Sequence, residues 1–226
     1  MMPHGGGMRP LSRIAAALLL LLPPLAQAEG KWEKEVAEVE ARVAQNAPET
    51  GRIFFAGSSS ARLWDLEKSF PTLGAVNVGF GGSRIPDSTR FAARLLTRWQ
   101  PSCVALYAGD NDIAGGVSPE QVAQDFIEFA TTIHAQAPEC RILFLSIKPS
   151  ESRWKLWPKA QQANEQIRRL CETLSAKHLR YVDLATALLG PDGKPRAEFF
   201  RNDKLHLNEA GYAAWTAALA PHLAKK

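Results

Sequence analysis

Cysteine is scarce in this sequence, which has only Cys103, Cys140 and Cys171 among its 226 residues. So few cysteines exclude a small domain that depends on a dense set of disulfides. Cys171 falls on the apolar stripe of a predicted helix, which is typical of a buried, unreactive thiol. Cys103 and Cys140 each begin a predicted strand, so a disulfide between neighbouring strands is one expectation. The other is that parallel-strand geometry misaims the two side chains and leaves both thiols free.

Recognisable metal-binding patterns are missing as well. The sequence has no cluster of His, Cys and Asp at zinc-ligand spacing. Asp110 and Asp112 resemble the start of a calcium loop, but Ala114 stands where that loop has a ligand and Gln121 where it has a glutamate. We therefore expect no metal and no other cofactor.

A large excess of one charge is absent. The chain has 27 Lys and Arg against 23 Asp and Glu, a formal net charge of +4. The first 28 residues contain two arginines and no acid, so residues 29–226 carry 25 basic and 23 acidic side chains, a net charge of +2. A balance this close, without a basic stripe, does not indicate nucleic-acid binding.

The apolar run near the start of the chain is too short to span a membrane comfortably. The segment contains Arg9, Arg13, the apolar run Ile14–Leu22, Pro23-Pro24 and Ala26-Gln27-Ala28. A positive start, an apolar core and a small-residue cleavage site are the three parts of a secretory signal peptide. We expect residues 1–28 to be removed and residues 29–226 to be periplasmic or secreted, without a stable membrane anchor. An uncleaved anchor is the alternative.

Short apolar runs alternate with helical segments along residues 29–226. Residues 31–46 have the periodicity of an amphipathic helix, and Ser118-Pro119-Glu120-Gln121 is a capping box that starts another. The apolar runs, short and partly β-branched like strands buried on both faces, are Ile53–Ala56, Ala75–Val78, Val104–Ala108, Ile142–Ile147 and Tyr181–Leu184. This alternation, without repeats or a linker, predicts a single α/β domain with three α/β/α layers and a flavodoxin-like, five-stranded parallel sheet.

Chemically active residue types follow these strands. The segments are Gly57-Ser58-Ser59-Ser60 after the first, Asn77–Ser83 at the second, Gly109–Asp112 after the third and Asp203–His206 after the fifth. The carboxyl ends of parallel strands meet at one edge of a sheet, where ligands bind. A hydroxyl, an imidazole, a carboxylate and amide donors at one edge are the groups that acyl transfer needs.

The same segments resemble, in order and spacing, the sequence blocks of SGNH (GDSL-like) hydrolases. Ile53–Trp64 (IFFAGSSSARLW) is similar to the first block, Asn77–Ser83 to the second, Gly109–Asp112 to the third and Asp203–His206 to the fifth. The resemblance runs from about residue 50 almost to the end of the chain. It implies that Ser59 is the nucleophile, His206 the base and Asp203 its orienting partner. It further implies that Gly82 and Asn111, together with the amide of Ser59, donate hydrogen bonds to the oxyanion of the tetrahedral intermediate.

One departure from the family pattern concerns the nucleophile. The usual Asp before it is Ser58 here, which leaves three adjacent serines. The register of the block selects Ser59, with Ser58 as the alternative.

Gly57–Ala61 also resembles a nucleophile elbow with Ala in place of the last glycine. The elbow fold has its serine in mid-chain and separates its acid from its histidine, so this interpretation is rejected.

Arg84, Trp154 and Trp157 are the candidate substrate-binding residues. The two indoles lie in the segment after the fourth strand, which should be near the mouth of the site, and Arg84 follows Gly82 by two positions. The alternative is that both indoles cover the core under a long loop.

These observations predict an exported serine esterase that acts on a small-molecule ester. The chain has no large apolar insertion that could serve as a lipase lid, which favours a small acyl group such as acetyl. The alternative function is a catalytically silent carbohydrate-binding or scaffolding module on the same fold.

Overall fold

Residues 1, 30–46, 48–173 and 178–224 are described by a computed structural model of the chain. The chain forms two compact units, Met1–Glu33 and Lys34–Lys226, and the sheet belongs to the second. The predicted signal peptide, residues 1–28, lies outside the described residues except for Met1. No helix within the described ranges is long and apolar enough to cross a membrane.

Five parallel strands form the sheet. They are β1 (Ile53–Gly57), β2 (Val76–Asn77), β3 (Cys103–Tyr107), β4 (Arg141–Leu145) and β5 (Leu179–Val182). Their order across the sheet is β2-β1-β3-β4-β5, and every neighbouring pair is parallel. This is the flavodoxin-like order, so the predicted fold class is confirmed.

Helices connect the strands and cover both faces of the sheet. They are α1 (Glu33–Gln45), α2 (Ser59–Arg62), α3 (Leu66–Ser69), α4 (Ile85–Arg90), α5 (Ala92–Leu95), α6 (Asp110–Ala114), α7 (Pro119–His134), α8 (Trp157–Thr173) and α9 (Glu209–Leu223). Short 3₁₀ turns occur at Thr97–Trp99, Trp154–Leu156, Thr186–Leu188 and Ala197–Phe199. α7 begins at the predicted N-cap, because the Ser118 hydroxyl accepts the amide of Gln121 (3.2 Å) and Pro119 occupies the first helical position. The Gln121 side chain donates to Asp125 (2.7 Å) and does not complete the predicted capping box.

The core lies on both sides of the sheet because successive strand residues point to opposite faces. On one face, Tyr107 packs against Trp215 of α9 with ring centroids 4.9 Å apart, and the Trp215 indole donates to the carbonyl of Leu184 (3.1 Å). On the other face, Phe144 of β4 meets Phe126 of α7 edge-to-face at 5.0 Å. All five residues of β3 are buried, which explains why that strand is an uninterrupted apolar run.

Cys103 and Cys140 are free thiols, so the disulfide considered from the sequence is not formed. The register pairs Cys103 of β3 with Arg141 of β4, so Cys140 lies one residue before the position opposite Cys103. Because side chains alternate along a strand, this offset of one residue directs the two thiols toward opposite faces. Cys171 is half-buried, not fully buried as its place on the apolar stripe predicted, and burial raises its pKa to about 11.

Candidate active site

The turn after β1 places three serines at the carboxyl edge of the sheet. Gly57 has φ +118°, and a Cβ there would lie 1.9 Å from the carbonyl oxygen of Tyr107, so the close approach of β1 and β3 requires glycine. The Ser58 amide donates to that carbonyl (2.9 Å), and the chain then enters α2 at Ser59. Ser58 and Ser60 are buried, whereas Ser59 is partly exposed. The amide of Ser59 lies in the first turn of α2, where N–H groups lack intrahelical acceptors.

A continuous chain of hydrogen bonds joins Ser59, His206 and Asp203. His206 Nε2 lies 2.9 Å from Ser59 Oγ, and His206 Nδ1 lies 2.6 Å from Asp203 Oδ2. Ser59 and His206 are 147 positions apart in the sequence, so the fold alone brings them together. The hydroxyl of Ser58 has no hydrogen-bond partner among the described residues, and the hydroxyl of Ser60 accepts from Lys148 instead.

The loop that carries Asp203 and His206 is held by its own backbone. Asp203 Oδ1 accepts the amides of Leu205 and His206, both at 2.9 Å, so the carboxylate caps the turn that presents the imidazole. Lys204 between them adopts φ +57°, a left-handed conformation that closes the turn. The carbonyl of His206 accepts the amide of Arg201 (2.8 Å), which fastens the other side of the loop. The Asp-x-x-His spacing thus builds the contact locally.

Hydrogen bonding keeps Asp203 ionised. Burial alone would raise the pKa of its carboxyl, but the His206 ring and the amides of Leu205 and His206 donate to it and hold that pKa well below its usual value. A carboxylate facing Nδ1 favours the imidazole tautomer that carries its proton on Nδ1, and in that tautomer Nε2 is a hydrogen-bond acceptor.

The end of β2 and the loop after it pack directly on α2 and the turn that follows α2. Asn77 Nδ2 donates to the carbonyls of Ala61 (2.7 Å) and Trp64 (3.1 Å), while its Oδ1 accepts the amide of Gly79 (3.0 Å). A Cβ on Gly79 would lie 2.6 Å from the backbone nitrogen of Arg62, so this contact needs glycine. These bonds lead the chain into Gly82, which is exposed and has φ +70°.

The Asn111 carboxamide faces the same loop from α6. Its Nδ2 donates to the carbonyl of Ser83 (3.0 Å), one residue beyond Gly82. Its Oδ1 accepts from Nη2 of Arg153 (2.9 Å), a residue of the segment after β4. The structure therefore brings Asn111 to the loop of Gly82, beside the turn that carries Ser59.

A buried cluster of charges, which no sequence motif indicated, lies beneath this edge. Lys148 Nζ, with its side chain 1% exposed, lies 3.2 Å from both Ser60 Oγ and Tyr107 Oη and 3.4 Å from Asp110 Oδ2. Burial lowers the pKa of Lys148, and the Asp110 carboxylate opposes that change. Arg153 Nη1 lies 3.1 Å from the same Asp110 oxygen. The position of this segment after β4 predicted that it lies near the site, but no local pattern showed that its cations turn inward.

The three candidate substrate-binding residues lie in different settings. Trp157 is 8% exposed at the start of α8, so it belongs mainly to the core. Trp154 is half-buried in the preceding 3₁₀ turn and stacks on Trp157, with ring centroids 6.3 Å apart and planes 16° apart. Arg84 is exposed at the start of α4, and its guanidinium covers Gly115 at the end of α6.

Within the described residues, no group of three or more His, Cys, Asp or Glu side chains could hold a metal ion.

Residues 44–214 match the GDSL-like Lipase/Acylhydrolase family. The chain belongs to this family. No curated protein matches it in sequence. The resemblance that the sequence blocks indicated is therefore confirmed at the level of the family.

Solved structures of this GDSL-like family and its neighbours share the fold. A Streptococcus pneumonia protein described as a platelet activating factor is 22% identical to this chain, with a TM-score of 0.75 over 89% of this chain and 98% of its own. A GDSL-like lipase from Bacteroides thetaiotaomicron is 18% identical, with a TM-score of 0.65 over 81% of this chain and 96% of its own. An acetylxylan esterase from Geobacillus stearothermophilus is 12% identical, with a TM-score of 0.62 over 80% of this chain and 97% of its own.

Proposed function

We propose that this protein is an exported serine esterase that hydrolyses a small acyl ester, with Ser59 as the nucleophile, His206 as the base and Asp203 as its orienting partner. The observation that carries the proposal is the chain of contacts from Ser59 Oγ to His206 Nε2 (2.9 Å) and from His206 Nδ1 to Asp203 (2.6 Å). A serine hydroxyl becomes nucleophilic when a neutral imidazole accepts its proton, and this geometry provides that acceptor.

The reaction proceeds in two halves. Ser59 Oγ attacks the acyl carbon while its proton moves to His206 Nε2, and the imidazolium then protonates the departing alcohol. Water, deprotonated by the same nitrogen, hydrolyses the acyl-serine and regenerates the hydroxyl. The negative oxygen of each tetrahedral intermediate accepts hydrogen bonds from the amides of Ser59 and Gly82 and from Nδ2 of Asn111.

A short acyl group such as acetyl suits this chain. The longest connection after a strand, residues 183–208 between β5 and α9, is rich in polar and charged residues, so the described ranges contain no long apolar insertion that could act as a lid. One structural neighbour is an acetylxylan esterase, which supports the same direction. Trp154 and the exposed Arg84 are the side chains that we assign to the alcohol part of the substrate, the indole for stacking and the guanidinium for a polar or anionic group.

The test separates the three adjacent serines. Ser59→Ala should lower the hydrolysis of p-nitrophenyl acetate by several orders of magnitude, while Ser58→Ala and Ser60→Ala should keep much of the activity. A fluorophosphonate should add its mass to the peptide that contains Ser59, and it should fail to label Ser59→Ala. Labelling of Ser58 would overturn the assignment of the nucleophile and leave the type of mechanism standing.

The same assay decides between an esterase and a catalytically silent module. A folded, pure protein that hydrolyses neither p-nitrophenyl acetate nor p-nitrophenyl butyrate, and that no fluorophosphonate labels, would contradict the esterase proposal. Binding of unmodified xylo-oligosaccharides by such a protein would support the carbohydrate-binding alternative.

A further inference from the structure

The Asn111 carboxamide is held at both of its ends. Oδ1 accepts from Arg153 Nη2 at 2.9 Å, and Nδ2 donates to the carbonyl of Ser83 at 3.0 Å. A rotation of 180° would place the amide NH₂ against the guanidinium and the amide oxygen against the carbonyl oxygen. Both contacts would then join two donors or two acceptors. Arg153 and Ser83 therefore select one orientation of this side chain.

In this orientation Asn111 keeps one hydrogen to spare. The Nδ2 group carries two hydrogens, and the carbonyl of Ser83 takes one of them. No second acceptor for Nδ2 occurs among the described residues. Because the amide group is planar, the direction of the spare N–H is set by the two contacts that are made. That hydrogen is the one available to an oxyanion.

Arg153 is itself fastened to the core. Its Nη1 lies 3.1 Å from Oδ2 of Asp110, whose side chain is 9% exposed. The same oxygen lies 3.4 Å from the ammonium group of Lys148, which also donates to Ser60 and Tyr107. One guanidinium thus spans two consecutive residues of α6, Asp110 and Asn111. The Nη1 contact with Asp110 is an ion pair without hydrogen-bond geometry, whereas Nη2 donates a hydrogen bond to Asn111. A planar guanidinium can make both contacts at once, and a lysine ammonium is much less suited to do so.

The charge of Arg153 also acts on the amide electronically. A cation that donates to Oδ1 draws electron density toward that oxygen and makes the Nδ2–H group a stronger donor. We propose that Arg153 is the positioning residue for the oxyanion donor Asn111: it fixes the orientation of the carboxamide and strengthens its free N–H. This inference rests on the proposed esterase function, and Arg153 acts through Asn111 without touching the substrate.

Steady-state kinetics on p-nitrophenyl acetate test the role first. Loss of an oxyanion donor costs roughly 10²–10³-fold in kcat. Arg153→Met should therefore lower kcat by about tenfold or more, and by no more than Asn111→Ala does, with KM changed less than about twofold. Lys155→Met removes an exposed cation from the same segment and should leave both constants unchanged. A kcat of Arg153→Met equal to that of the wild type would overturn the proposal.

A double-mutant cycle separates positioning from general structural damage. If Arg153 acts through Asn111, adding Arg153→Met to Asn111→Ala should cause no further loss of kcat. Losses that multiply would overturn the proposal. Arg153→Lys should retain the ion pair with Asp110 and melt close to the wild type, yet stay as slow as Arg153→Met because it cannot hold both acceptors. Full recovery of kcat in Arg153→Lys would contradict the need for a forked donor.

One readout does not depend on esterase activity. The side-chain amide resonances of Asn111, assigned by their loss in Asn111→Ala, should move in Arg153→Met and Arg153→Lys and stay in place in Lys155→Met. This experiment can be done on Ser59→Ala protein. If the wild type hydrolyses no ester, the proposed function fails while this measurement still tests the link between Arg153 and Asn111. Unmoved resonances in Arg153→Met would overturn the link even in an active esterase.

Discussion

At the scale of single residues, the Asp203 carboxylate has the clearest consequence for pH dependence. Its hydrogen bonds hold its pKa well below the usual value, although burial alone would raise it. Asp203 therefore stays ionised throughout an ordinary assay range, so its carboxyl should not add a proton to the loss of kcat/KM on the acid side, which we expect to follow a single titration. A plot of log kcat/KM against pH for p-nitrophenyl acetate should have a limiting acid slope of one.

A limiting slope of two would show that a second group titrates and would contradict this assignment. Asp203→Asn removes the charge while keeping the size, so it should lower kcat by on the order of 10³–10⁴-fold through loss of the correct tautomer of His206. Asp192→Asn, in an exposed turn, is the matched control and should behave as the wild type.

Asp112 connects a single residue to the stability of the fold. It is fully buried, and its Oδ1 accepts the amide of Ile85 (3.1 Å), which holds the start of α4 next to the loop of Gly82. Burial raises the pKa of Asp112 from 3.8 to about 6, against the opposing hydrogen bonds from the amides of Ile85 and Asp112 itself. Between these two values the folded protein binds more protons than the unfolded chain, so its stability falls as pH rises through that range.

The shift corresponds to about 3 kcal/mol that protonated Asp112 provides at low pH and ionised Asp112 loses at neutral pH. Asp112→Asn has no charge to lose. Its free energy of unfolding, measured with urea, should therefore improve relative to the wild type when the pH is raised from 4 to 7.5. An equal difference between variant and wild type at both pH values would count against the raised pKa.

At the scale of elements, the segment between β4 and α8 combines a structural indole with a more exposed one. Trp157 is 8% exposed, so Trp157→Ala should lower the free energy of unfolding by about 3–5 kcal/mol.

Trp154 is half-buried. Trp154→Ala should therefore cost less stability, but it should raise KM for a bulky ester while keeping kcat on p-nitrophenyl acetate. Thermal melts together with kinetics on both esters distinguish the two roles. Unchanged selectivity in Trp154→Ala would exclude it from substrate binding.

At the scale of the whole molecule, the proposed export makes a prediction about processing. The protein recovered from the periplasm of a bacterial host should begin at Glu29, because Ala26-Gln27-Ala28 presents small residues to the signal peptidase. Intact mass and N-terminal sequencing measure this directly. Ala28→Arg should block the cut and retain the chain in the membrane fraction. Full-length wild-type chain in that fraction would support the uncleaved anchor instead.

The sequence predicted the sheet most directly through its three central strands, β1, β3 and β4, which are almost entirely buried and therefore read as short apolar runs. The ends of the strands were less predictable, since pairing decides them: the run Ala75–Val78 is paired only at Val76 and Asn77, which lie at the edge of the sheet. The Asp203–His206 contact was also predictable because it closes within one turn of chain. Strand–helix alternation then implies that the serine turn and this loop share one edge.

Ser58, Ser59 and Ser60 differ in direction rather than in kind, so without the register of the family block only the tertiary structure, in which Ser59 Oγ meets His206, tells them apart. The tertiary structure also turned Lys148 and Arg153 inward, onto Asp110 and the Asn111 carboxamide, although cations at strand ends are usually exposed. These contacts join residues about 40 or more positions apart, so no local periodicity encodes them. A register offset of one residue likewise left Cys103 and Cys140 unpaired. The spacing of apolar residues along the sequence determined the helices and strands and their order. The direction of each side chain changes with every residue along a strand or helix, so only the tertiary structure determined which side chains meet at the site.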